Sequence, residues 1–186
     1  VASVVPSVHD RVRSRAGAGA VGGGSGPRVT RRGLSVAVKD LRAVVADDPV
    51  RRGRFLQEAR ATAALSHPNS AALYEIGEDQ DQLFLVFEYV PGETLENIIG
   101  AKGGLDLTLT LDYTCQICNA VDHAHKQGVL HRALRPANVF VNEKGLLTLG
   151  DFGTSRMLEV AAHGTHVLGT PPSMAPAQFA GRAVFP

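Results

Sequence analysis

Cysteine is scarce, with only Cys115 and Cys118 among 186 residues. Two cysteines cannot build a disulfide framework, so a reducing, cytoplasmic setting is the expectation. Excess charge is lacking too. Lys and Arg number 19 against 18 Asp and Glu, a net +1, which supplies no broad electrostatic footprint for nucleic acid or an anionic membrane. Long apolar runs are also missing. The strongest, residues 83–87 followed by Tyr89 and Val90, falls far short of the ~20 residues that span a bilayer, so no membrane segment is expected. The first residues lack the charged-then-apolar run and cleavage site of a secretory signal. The chain opens on Val1 rather than Met and reads as a piece of a longer protein.

What is present is an ordinary globular composition, 44% apolar and 20% charged, with length for one domain or two small lobes. Residues 1–32 stand apart. They hold six Arg against the single acid Asp10, and six Gly between Gly17 and Gly26, so little core can form there. Residues 1–15 read as a flexible basic tail, with no interleaved aromatics for base stacking and no amphipathic helix. From Leu34 the text changes: Leu34, Val36 and Val38 alternate with Ser35, Ala37 and Lys39, the period of a half-buried strand.

A helix is predicted over 51–65 from the spacing of Phe55, Leu56, Ala59, Ala63 and Ala64, with Pro49 just before it and His67-Pro68-Asn69 stopping it. Residues 73–76 and 83–90 read as a hairpin around the polar turn 77–82. Pro91-Gly92 marks a boundary, followed by helical signals over 93–99 and 109–127, the second closed by Gly128. Two short strands, 139–141 and 146–149, complete the pattern.

Gly17-Ala18-Gly19-Ala20-Val21-Gly22 is a GxGxxG, weak alone because glycine-rich text is also plain linker. A dinucleotide fold would need a helix opening at its third glycine, and Gly23-Gly24-Ser25-Gly26-Pro27 cannot open one. Further on, Val36-Ala37-Val38-Lys39, Glu58, the run His131-Arg132-Ala133-Leu134-Arg135-Pro136-Ala137-Asn138, and Asp151-Phe152-Gly153 follow in order. Lys39 lies 17 residues after Gly22, Glu58 lies 19 after Lys39, and Asp151 lies 13 after Asn138. With these intervals, residues 17–179 resemble the protein kinase family, and Phe55 to Arg60 with Leu65 to Asn69 resemble its bacterial serine/threonine members.

The resemblance implies an α+β, two-lobed fold. Residues 16–90 would form an N-lobe of antiparallel sheet plus one helix, and residues 91–186 a partial, mainly helical C-lobe. It implies ATP and Mg²⁺ as ligands, and a protein substrate or partner kinase. Gly17, Gly19 and Gly22 would cover the phosphates, Lys39 would hold them, and Glu58 would orient Lys39 through an ion pair. Phe87 would stand as gatekeeper, Ala37 would belong to the nucleotide site, and the backbone of Glu88 and Val90 would bond the adenine edge. Asn138 and Asp151 would hold Mg²⁺ as hard oxygen donors. Arg135 stands where the family places a phosphate-directed lysine.

Several positions depart from the family. Ala133 replaces the aspartate that accepts the substrate hydroxyl proton, and a methyl group accepts none. Loss of a general base costs about 10²–10⁴-fold against ordinary turnover of ~1–100 s⁻¹, so transfer is expected to be absent or very slow. Gly24 stands where a valine packs on adenine, and Ala177 replaces the glutamate of Ala-Pro-Glu. Further C-lobe helices follow this point in the family; without them the 109–127 helix should expose apolar surface or leave the chain marginally stable. Three readings stay open: a nucleotide-binding domain without efficient catalysis, an active serine/threonine kinase, and a non-binding scaffold.

Cys115-Gln116-Ile117-Cys118 is a CxxC inside a helix without a second pair, and reads as core or half-buried cysteines rather than a redox or zinc site. Of the neighbouring histidines, the resemblance accounts for His125 and for His131, expected buried against Phe152. It also implies that Arg132 docks a phosphorylated residue, with Thr165 the first candidate.

Overall fold

The computed structural model describes residues 28–31, 34–41, 49–79, 82–154, 173–180 and 182. The basic tail, Gly17, Gly19, Gly22, Gly24 and Thr165 lie outside the described residues.

Four strands form the first sheet, β1 (Arg28–Arg31), β2 (Leu34–Leu41), β3 (Leu73–Asp79) and β4 (Gln82–Glu88), antiparallel in the order β1-β2-β4-β3. The alternation in β2 sorts its faces: buried Val36 and Val38 join Phe84 and Val86, which leaves Ala37 and Lys39 on the opposite face. The run in β4 is apolar at every position because both faces are covered. Leu83, Leu85 and Phe87 pack on Phe55 and Ala59 of α1 (Pro49–Ala63). Pro49 lies within the first turn of α1, where its missing N–H costs nothing, so the helix starts two residues earlier than periodicity predicted. Arg52 makes a forked ion pair with Glu78 and ties α1 to β3. The hairpin turn is shorter than the polar text 77–82 implied, because the ladder runs out to Asp79 opposite Gln82. Gly77 permits this: a Cβ there would lie 2.1 Å from the Phe84 ring.

The second layer contains β5 (Glu93–Thr94), α2 (Leu95–Lys102), α3 (Leu107–Lys126), a 3₁₀ turn (Pro136–Asn138), β6 (Val139–Val141), β7 (Leu147–Leu149) and the short α4 (Pro176–Phe179). Its sheet runs β5-β6-β7. The helical signal expected from residue 93 begins later because Glu93 and Thr94 pair with Val141 and Phe140, and Thr94 then caps α2 by accepting the Asn97 N–H at 3.3 Å. Asp106 caps α3 in the same way at 2.9 Å, and Gly128 follows that helix in the left-handed conformation, φ 74°. Leu95, Tyr113, Ala120, Ala124, Val139, Leu147, Leu149 and Phe152 form the core of this layer.

One stripe of α3 faces outward. Leu107 is 73% and Leu111 57% exposed, and both cysteines are exposed. The apolar surface matches expectation; the cysteines do not, because at i and i+4 spacing Cys115 falls on the Leu107–Leu111 stripe and not on the Tyr113–Ala120–Ala124 face. Among the described residues no helix is long and apolar enough to cross a membrane.

The two layers are joined by the turn after α1. Leu149 donates its N–H to the Asn69 carbonyl at 2.8 Å and accepts the Ala71 N–H at 2.8 Å, an isolated parallel bridge centred on Ser70. The buried Asn69 amide donates to the Leu147 carbonyl at 2.6 Å and to Gln116 Oε1 of α3 at 3.0 Å. That same Gln116 oxygen accepts the Leu147 N–H at 2.8 Å. Asn69→Ala removes the side-chain donor to the buried Leu147 carbonyl and one of the two donors to Gln116 Oε1, and is expected to lower stability by about 1–3 kcal/mol. Urea unfolding checks this: the midpoint should fall at constant slope, and an unchanged midpoint would refute the role given to Asn69.

Candidate functional site

A cavity of about 330 Å³ lies between the layers. Strand β2 presents Ala37 and Lys39 to it, the end of β4 and the chain after it supply Phe87, Glu88 and Val90, and the opposite wall carries Asn138, Phe140, Gly150 and Asp151. Residues more than 100 positions apart are thus brought to one cleft. Glu88 is pinned at its rim: its N–H donates to the Ala72 carbonyl at 2.8 Å, and its carboxylate accepts the Ala72 N–H at 3.1 Å. Gly150 lies flat beneath Phe140, where a Cβ would come within 2.9 Å of the ring.

The charged centre differs from expectation. Lys39 Nζ donates to Asp151 Oδ1 at 3.2 Å and to Thr154 Oγ1 at 3.5 Å, rather than pairing with Glu58. Glu58 is half-buried on α1 and does not line the cavity. Thr154 is 3% exposed and also donates its hydroxyl to the Asp151 carbonyl at 3.0 Å. The family resemblance implied Glu58 as the partner of Lys39, and the structure gives it Asp151 instead. The choice depends on how α1 and the segment after β7 approach β2.

Asp151 has left-handed backbone, φ 60°, which for a non-glycine residue costs of order 1–3 kcal/mol. The turn leaves its carboxylate on the cavity and sends Phe152 into the core at 2% exposure. Asn138 sits beside it: its carbonyl accepts the Gly150 N–H at 2.8 Å, and its amide donates to the Ala133 carbonyl at 2.8 Å. Asn138 and Asp151 both line the cleft, and an amide and a carboxylate oxygen are of the kind a hard cation takes.

The 131–135 segment is ordered around Ala133. Arg132 is left-handed, φ 61°, and its carbonyl accepts the Gln178 amide of α4 at 3.1 Å. The Ala133 N–H donates to His131 Nδ1 at 3.3 Å. Arg135 lies 3.5 Å from Glu96 of α2 and outside the cavity lining.

Residues 11–183 match the family model described as the protein kinase domain. The chain belongs to the protein kinase family. It is 35% identical over 168 residues to the probable serine/threonine-protein kinase PknB of Bifidobacterium longum, covering 83% of this chain and 24% of that protein. Identity to the serine/threonine-protein kinase PrkC of Bacillus subtilis is 36%, over 78% of this chain and 23% of that one. The solved PknI kinase domain of Mycobacterium tuberculosis superposes with a TM-score of 0.64 at 28% identity, over 85% of this chain and 59% of that one. This kinase chain therefore spans about a quarter of the length of the curated relatives it matches.

Two side chains had no place in the sequence reading of this cleft: Phe140, which forms part of the wall, and Thr154, which bonds Lys39. Glu96, outside the cavity lining, is the acid that faces Arg135.

His131 packs on Phe152, ring centroids 4.5 Å apart, and its Nε2 has no hydrogen-bond partner among the described residues. Burial drives its pKa down to about 4 against an opposing pull from Asp151. The unfolded chain, with histidine near 6.5, therefore binds this proton first, so stability is full above pH 6.5 and is lost as pH falls toward 4. The loss approaches about 3 kcal/mol. His131→Phe should flatten that acid limb in urea unfolding from pH 7 to 4, and an unchanged limb would assign it to other groups.

Proposed function

We propose that this chain is the ATP-binding part of a kinase-like domain of serine/threonine type that binds Mg-ATP and transfers its γ-phosphoryl very slowly or not at all. One observation carries the reading. Lys39, Asp151 and Asn138 converge on one cleft beneath Ala37 and Phe87, while position 133, at the mouth of the same loop, offers only a methyl group.

Adenine fits between Ala37 and Phe140, with the chain at 88–90 alongside its polar edge. The triphosphate then extends toward Lys39. Its ammonium already lies in the cleft and needs only to leave Asp151 for the phosphates. The oxygens of Asp151 and Asn138 would hold Mg²⁺, which when bound neutralises phosphate charge. Arg135, turned toward Glu96, is the second cation near the transfer site. What the loop does not supply is a proton acceptor. The Ala133 N–H and carbonyl are both engaged, with His131 and Asn138, and buried His131 is held neutral with its Nδ1 lone pair taken.

A second reading is an active kinase, favoured by relatives named serine/threonine-protein kinases at 35–36% identity. The test is thermal unfolding with and without Mg²⁺ and ATP, followed by phosphoryl transfer compared with Lys39→Ala. At ligand near 100 Kd the folded state gains about 2.7 kcal/mol. An Mg-dependent rise in Tm that is lost in Asp151→Ala, without transfer above the Lys39→Ala background, is expected. Transfer at ordinary kinase rates would establish the second reading, and a cooperative melt that ignores Mg-ATP would reduce the chain to a scaffold.

A further inference from the structure

His67, on the turn that joins the layers, and His123, on α3, take no part in the cleft. Their rings are partners, with centroids 5.2 Å apart and planes inclined at 33°. His67 Nδ1 accepts the Asn69 backbone N–H at 3.1 Å, so the His67 imidazole is neutral with its proton on Nε2. His123 is anchored on its own helix, with its Nε2 2.9 Å from the Gln127 side-chain nitrogen. His67 has no lone pair left for a metal, and among the described residues no group of three His, Cys, Asp or Glu includes the pair.

We propose that His67, packed on the His123 ring, forms a proton-operated latch on the turn that joins the two layers: neutral, it holds the turn against α3, and protonated, it releases it. A proton added at His67 Nδ1 points at the Asn69 N–H, so two donors confront each other and that bond is lost. Among the described residues, His123 of α3 is the charged group that acts on His67; Asp122 on the same helix is held by Lys126 at 2.6 Å.

The consequence reaches past the pair. Asn69 connects the turn to α3 and β7, and the Leu149 it binds stands two residues before Asp151. Desolvation by burial, and after it the charge of His123, lower the His67 pKa below 6.5. The latch is thus closed above that pH and opens as pH falls through the lowered value, with each unit of lowering equal to tenfold in the folding equilibrium. His131 titrates lower, near 4, which separates the two acid limbs.

The test is an NMR titration of the full chain from pH 7.5 to 5, following the imidazoles and the Asn69 amide. The His67 midpoint should fall below 6.5, the Asn69 amide should move on the same curve, and His123→Phe, which keeps a ring on α3, should raise that midpoint. A midpoint at or above 6.5, an Asn69 amide that ignores the titration, or a midpoint unmoved by His123→Phe would each overturn the latch. So would broadening of both rings by Zn²⁺ at pH 7.5, which would make the pair a metal site. Should His123→Phe fail to fold, His67→Gln retains an acceptor for Asn69. Its urea midpoint must then stay flat between pH 7.5 and 5.5, and a drop equal to that of the unmodified chain would refute the proposal.

Discussion

The backbone of Leu149 is held from one side by two bonds, given to Asn69 and received from Ala71. The geometry of the cleft follows from these two bonds. Once β7 is fixed beside residues 69–71, Gly150 is placed against the Asn138 carbonyl, and Asp151 emerges opposite Lys39. A bond pattern at the back of the cleft, involving no side chain of the site itself, therefore decides which polar groups meet at the front. Asn69 reinforces it with a buried amide satisfied by two elements at once, and Gln116 closes the network by serving both Asn69 and Leu147 with one oxygen.

Much of this was legible in the residues. The alternation of β2 and the apolar run of β4 follow from local pattern, and the family resemblance singled out Lys39, Asn138 and Asp151, which the structure brings to one cleft. The boundaries slipped where a local signal had two meanings. Pro49 opens a helix as readily as it precedes one, polar residues 77–79 continue a hairpin ladder as well as end it, and Thr94 both finishes a strand and caps a helix.

The partner of Lys39 was illegible for a different reason. Lys39 and Asp151 are separated by 112 positions, and which of two acids the ammonium meets depends on the placement of α1 relative to β2, a tertiary matter with no local signature. Thr154 belongs to the same class, since a threonine after a glycine reads as a loop residue until burial reveals it. Cys115 and Cys118 illustrate the reverse error. Cysteine is a common core residue, but helical phase places these two on the outward stripe of α3.

The Lys39–Asp151 pair also has a softness that its central position conceals. Both side chains remain about one-third exposed, at 33% and 35%, and ion pairs so open to water contribute only about 0–1 kcal/mol. Breaking one to admit a ligand weakens apparent affinity by less than roughly tenfold, since a tenfold factor requires ~1.4 kcal/mol. The pair therefore acts as a placeholder more than a barrier. It keeps the carboxylate and the ammonium of the cleft mutually neutralised, and it yields to any ligand whose own charges replace both partners at once.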